Sequence, residues 1–149
     1  MAPGDLESDA LRTPAVAQAA SEIAVIADVR AALVAFQQSF ARRDDGAVLD
    51  GRDIGTVICP QADVKLFVTA SAETRARRRF DELVGRGMDL AFATVLADVK
   101  ERDERDRTRS EAPLIPADDA VLLDTSDLSI EAAVTQAIAA IEAVYQNAR

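Results

Sequence analysis

The chain has 149 residues, 49% of them apolar, which is enough for one domain with a real core and too apolar for a disordered segment. Its net charge of -9 argues against a non-specific nucleic-acid binder and an anionic membrane surface, the absence of histidine removes an imidazole base, and the single cysteine, Cys59, allows neither an internal disulfide nor a thiolate metal cluster. No stretch approaches the roughly 18 apolar residues of a membrane span, and "MAPGDLESDALRT" lacks the basic start and apolar run of a signal peptide, so a soluble cytoplasmic protein is expected.

Residues 1–13 are polar and loop-like. In residues 14–41, Pro14 suits a first helical turn, and Val16, Ala19, Ala20, Ile23, Ile26 and Ala27 keep helical spacing, as do Val29, Leu33, Phe36 and Phe40. They make one long helix, or two joined near Asp28, stopped by "RRDDG". "AVLD" (47–50) reads as a short buried strand, and "VKLFVT" (64–69) as a second, rich in β-branched and aromatic residues. Ser71 then suits an N-cap, Glu73 and Thr74 fall in the first turn, and Gly85 or Gly87 ends the helix. Residues 89–108 form another helix, apolar first and charged later. "SEAPLIPADDA" is a proline-marked loop, "VLLDT" (121–125) is a third strand, and residues 129–147 form a final amphipathic helix with Ile130, Ala133, Ala137, Ile141 and Tyr145 among its apolar positions. Strands alternating with helices indicate an α/β domain with a mainly parallel sheet.

The chemistry concentrates in two segments. "AVLDGRDIGTV" ends a strand on carboxylates, an arginine and two glycines, and ligands of open α/β sheets bind beyond the carboxyl ends of strands. Arg52 can hold a phosphate through two parallel hydrogen bonds, Asp53 can accept from an amino group, and Gly51 and Gly55 let backbone approach closely. A turn held by a local Arg–Asp pair explains the same residues.

The second segment is "KERDERDRTR" (100–109). It reads as a solvated helix with i,i+4 pairs Glu101–Arg105, Arg102–Asp106 and Asp103–Arg107, each worth about 0.2–0.5 kcal/mol. The alternative is a mobile arm carrying arginines over a polyphosphate, which the bare pattern favours less. Arg75, Arg78 and Arg79 on the preceding helix extend the second reading, and Arg75 and Arg79 share a face. Two arginine-bearing helices joined by a short connection can form a lid; surface arginines snorkelling over apolar neighbours are the alternative. Taken alone, Ser21 and Arg30 are filler and solvated charge on an apolar helix, and Cys59 a small hydrophobe.

The stretches "LRTPAVAQAASEIA", "VRAAL", "LDGRDIGTV", "VKLFVTASAETRARRR", "KERDERDRTRSEAPLIPADDAVLLDTS" and "LSIEAAV" together resemble bacterial cytidylate kinase, the (d)CMP kinase branch of the nucleoside-monophosphate kinases. The resemblance runs from about Gly4 to the C-terminus. It implies a P-loop NTPase-like three-layer α/β fold with a parallel sheet and a helical lid over residues 75–109. It also implies transfer of the ATP γ-phosphoryl group to CMP or dCMP, with Mg2+. By this resemblance Ser21, Arg30, Arg52, Asp53, Asp106 and Arg109 bind CMP, with Arg52 on the phosphate and Asp53 on the cytosine amino edge. Arg75, Arg79 and Arg102 are lid arginines near ATP.

The sequence departs from that family in lacking its G-x-x-x-x-G-K-S/T phosphate loop and the D-S/T-G-x-x-Y-R segment that follows. It also carries Ala27 where the family commonly has proline. The expectation is a fold missing its first two strands and phosphate loop. Residues 1–13 are then a remnant of the CMP-binding insert, and residues 14–149 a truncated kinase core. In the family's strand order, 2-3-1-4-5, the missing first strand lies between the strands at 47–50 and 64–69 and leaves exposed edges. Such a chain is expected to be inactive alone. The alternatives are a non-catalytic CMP-binding module or one half of a split kinase whose partner carries the phosphate loop. An acidic interaction protein without a ligand ranks last.

Overall fold

The computed structural model describes residues 11, 13–24, 26–108 and 112–147. The chain divides into two units, Met1–Leu49 and Asp50–Arg149.

In the first unit, Pro14 opens helix α1 (Pro14–Ile23), where its missing N–H costs nothing. The preceding Thr13 is extended, and its hydroxyl accepts the Val16 amide at 3.3 Å. A second helix, α2 (Ala27–Ala41), is separated from α1 by a break, so the two-helix alternative holds. Arg30 crosses that break, donating Nη1 to the Ala24 carbonyl at 3.3 Å and satisfying an acceptor at the end of α1. The Arg43 guanidinium lies 3.9 Å above the Phe40 ring. Gly46, at φ +76°, donates to the Arg43 carbonyl at 3.0 Å and closes the turn after α2.

The expected strand at 47–50 does not form. Residues 46–50 join no ladder among the described residues, and Val48 is 98% exposed. A four-residue apolar run becomes a strand only when a neighbour pairs its amides, and the described sheet supplies none.

In the second unit, strands β1 (Leu66–Thr69) and β2 (Val121–Asp124) pair in parallel, with Leu66 opposite Val121 and Thr69 opposite Asp124. Lys65 and Thr125 extend the pairing by one bond at each end: the Val121 amide donates to the Lys65 carbonyl at 2.9 Å and the Thr125 amide to the Thr69 carbonyl at 2.8 Å. The fold is therefore α/β with a small parallel sheet, of two strands rather than the expected three.

Helix α3 (Ala72–Gly85) starts on Ser71, whose hydroxyl accepts the Thr74 amide at 3.1 Å. Of the two glycines proposed as its stop, Gly87 takes the left-handed conformation, φ +80°. The Gly87 amide donates to Val84 at 2.8 Å and the Met88 amide to Leu83 at 3.1 Å, a Schellman ending. Helix α4 (Phe92–Thr108) packs on α3 through buried Ala76, Leu83 and Val95, joined by Phe80, Leu90, Phe92, Leu96 and Val99. Phe80 and Phe92 meet edge to face at 5.9 Å, with Arg77 4.2 Å from the Phe92 ring. Helix α5 (Ile130–Asn147) begins after Ser129, whose hydroxyl accepts the Ala132 amide at 3.2 Å, and packs on β2.

Candidate functional site

The loop that carries Arg52 and Asp53 winds into a π-helical turn, Ile54–Ile58, which alternating or helical periodicity did not signal. The Asp53 carbonyl accepts the amides of Val57 at 2.8 Å and Ile58 at 3.2 Å, and the Ile54 carbonyl accepts the Cys59 amide at 2.6 Å. A Cβ on Gly55 would sit 3.3 Å from Lys65 Cδ, so the absent side chain lets this turn lie against the lysine stem.

Arg52 does not pair locally. Its Nε donates to Oδ2 of Asp106 at 2.9 Å, joining the loop to the last turn of α4. The Asp106 side chain is 6% exposed and that of Arg52 40%, so the carboxylate is buried while the guanidinium reaches solvent. Downstream of α4 the chain folds back, the Leu114 amide donating to the Asp106 carbonyl at 2.9 Å.

One turn before Asp106 stands Arg102. Its Nε is buried without a hydrogen-bond partner. Burial first, and then the neighbouring charges of Arg52, Arg105 and Arg79, hold its pKa below the ordinary guanidinium range, opposed by Asp106. Arg79 pairs with Glu82 at 2.7 Å and Arg105 with Glu101 at 2.7 Å, both on their own helices. Arg52, Arg79 and Arg105 thus act on the charge of Arg102 against the buried Asp106 carboxylate, while Glu82 and Glu101 partner Arg79 and Arg105 on their own helices. Such a centre favours an anion with several acceptor oxygens.

The expected intrahelical pairs on α4 are only partly realised. Glu101–Arg105 forms, but Asp103 serves Arg75, Asp106 serves Arg52, and Arg107 pairs with Glu104. Arg75 grips Asp103 through both Nη atoms at 2.6 Å and donates Nε to the Ala70 carbonyl at 2.9 Å, tying α3 to α4 and to the end of β1. The hydrogen bonds to Asp103 hold the Arg75 guanidinium pKa above its usual range. Arg78 is equally committed: it donates to the Thr125 hydroxyl at 3.1 Å and the Thr125 carbonyl at 2.6 Å.

Of the residues singled out in the sequence, the second unit bonds Arg52 to Asp106, and the charges of Arg52, Asp106 and Arg79 act on Arg102. Asp53 sits at the head of the π-helical turn, half-buried. Ser21, 8% exposed, and Arg30 belong to the first unit. Arg109 lies outside the described residues, as do residues 1–10 and 12 of the expected insert remnant. The sequence reading missed Arg105 as a member of the cationic centre, although its i,i+3 spacing from Arg102 signals a shared face. It also missed Lys65 and Asp119, whose partnership joins residues far apart in the chain.

Among the described residues, no group of three His, Cys, Asp or Glu side chains gathers to hold a metal ion. Magnesium in polyphosphate sites takes most of its ligands from phosphate and water, and no residue of this chain is assigned to it. No helix among the described residues is long and apolar enough to cross a membrane.

Arginines gathered on two packed helices of an α/β fold suit the recognition of phosphate esters. A family model described as cytidylate kinase matches residues 2–143. A cytidylate kinase of Cereibacter sphaeroides is 64% identical over 138 residues, which cover 93% of this chain and 67% of that protein. The cytidylate kinase of Xanthobacter autotrophicus is 60% identical over 138 residues, 93% of this chain and 66% of that protein. That of Methylocella silvestris is 54% identical over 145 residues, 97% and 67% respectively. The chain belongs to the cytidylate kinase family, within the nucleoside-monophosphate kinases, and spans about two thirds of the length of these relatives.

Proposed function

We propose that the chain is the nucleotide-gripping portion of a cytoplasmic cytidylate kinase, which moves the γ-phosphoryl group of ATP to CMP or dCMP. The observation that carries this reading is the Arg52–Asp106 pair at 2.9 Å, one helical turn from the buried, unpartnered Nε of Arg102. Phosphoryl transfer asks little covalent work of a protein; it asks for positioning and for charge neutralisation, and guanidinium groups supply both. Needing no histidine or cysteine nucleophile fits that chemistry.

Arg52, restrained through Nε by Asp106, keeps its two Nη groups as donors for the phosphate of CMP. Asp53 takes the cytosine amino edge, and Ser21, Arg30 and Arg109 complete the CMP contacts. Helices α3 and α4 act as the lid, with Arg79 and Arg102 turned to the ATP phosphates and Arg75 holding the two helices together. Magnesium, when bound with ATP, shields charge on the polyphosphate.

A second reading is a CMP-binding module, or half of a split enzyme whose partner supplies a G-x-x-x-x-G-K-S/T loop. Calorimetric titration with CMP, paired with an ADP-release assay on ATP plus CMP, tests both. The expected result is CMP uptake lost in Arg52→Ala, with negligible turnover by the 149-residue chain alone. Absence of CMP uptake by the unaltered chain removes the reading.

A further inference from the structure

Two lysines stand in a chain with fifteen arginines. Lys100 sits on the surface of α4, 3.3 Å from Glu73. Lys65 is different: its side chain is only 8% exposed.

The Lys65 backbone is fixed, because its carbonyl continues the parallel ladder by accepting the Val121 amide. Its side chain runs under the π-helical turn, with Cδ 3.3 Å and Cγ 3.6 Å from where a Gly55 Cβ would be. The ammonium ends among three acceptors: the Pro60 carbonyl at 2.6 Å and the Asp119 carboxylate oxygens at 2.8 and 2.7 Å. Three donors meet three acceptors, so the buried charge is satisfied. The same hydrogen bonds hold the Asp119 carboxyl below its ordinary range.

Pro60 follows the π-helical turn and Asp119 lies in the loop that leads into β2. Lys65 therefore clamps the segment bearing Arg52 and Asp53 to both strands. We infer that Lys65 is a positioning residue, whose stem and ammonium set where Arg52 meets Asp106 and hence where the nucleotide phosphate is held. This rests on the reading of Arg52 as a phosphate ligand. An arginine in its place would bring a broad planar head beneath Gly55, whereas the compact ammonium fits the three converging oxygens.

The test uses the full chain with Lys65→Met, which keeps the stem and removes the charge, and Asp119→Asn, which alters only an exposed partner. CMP affinity is measured by calorimetry, and amide hydrogen exchange at Ile58 and Cys59 reports the loop. The expected result is a loss of CMP affinity of about tenfold or more in Lys65→Met, because misplacement of about 1 Å has effects of that size or larger. Asp119→Asn should lose less. Exchange should quicken at Ile58 and Cys59 while α5 is unchanged. Unchanged affinity together with unchanged loop exchange overturns the inference. So does exchange that rises uniformly through α3 and α5, which marks a purely structural role. If the unaltered chain takes up no CMP, the proposed function fails, and the exchange result alone decides whether Lys65 orders the Arg52 loop.

Discussion

Arg52 Nε lies 2.9 Å from Asp106 Oδ2, so a loop and the end of a helix 54 residues later share one charge pair. The pair is lopsided: the acid is buried and the base half-open. Removing the acid is the costlier change, since it strands Arg52 and Arg102 beside each other. Asp106→Asn should destabilise the chain by about 2 kcal/mol, below the fully buried limit because Arg52 touches solvent. Urea unfolding, with an unchanged slope and a lower midpoint, checks this.

Arg102 should show the opposite balance. Its burial and its like-charged neighbours work against the folded state, so Arg102→Met should fold at least as well as the parent chain. The same variant should lose ATP affinity by roughly ten- to a hundredfold, as expected for one charge-assisted phosphate contact. Thermal melts and calorimetry on a single preparation separate the two effects. Lower stability accompanied by full affinity would contradict this account of the cationic centre.

Leu83 is 4% exposed at the α3–α4 interface. Leu83→Ala should cost about 2–4 kcal/mol through lost burial and a residual cavity. Arg75→Ala should cost less, about 1 kcal/mol, because both members of its pair with Asp103 are 39% exposed. Chemical denaturation of the two variants side by side tests the ranking.

Acid should weaken the chain through particular carboxylates. Hydrogen bonds from Lys65 lower the pKa of Asp119, and hydrogen bonds from Ser126 lower that of Asp124. Each group takes up its proton more readily in the unfolded chain. Its contribution is therefore complete above the ordinary aspartate value of 3.8 and is lost as pH falls through the depressed folded value. The stability difference between the parent chain and Asp119→Asn should be present at neutral pH and vanish in that acidic window. Melting both across the pH range measures it.

What the sequence disclosed follows from how local each signal is. Helices α1 to α5 were visible because apolar spacing near 3.6 and residues such as Pro14, Ser71 and Gly87 act within one or two turns. The strand expected at 47–50 failed because strand formation needs a partner that no short stretch encodes. The same reason hid the true partners of α4: Asp103 and Asp106 are spaced for intrahelical pairing, yet Arg75 and Arg52 reach them from elsewhere. The π-helical turn escaped notice because "IGTVI" carries no pattern that favours a wider hydrogen-bond ring. Arg52 and Asp106 were recognisable as chemistry in the sequence, but not as a bonded pair.

The bond from the Cys59 amide to the Ile54 carbonyl fixes the length of the segment as firmly as its composition. Deleting one residue inside it would restore the tighter ring of an ordinary helix and swing the preceding backbone by roughly 100°. Gly55 would leave the lysine stem and Arg52 would lose its acid, even with every residue type retained. Substitutions can be absorbed here, whereas a gain or loss of a single residue would throw the segment out of phase.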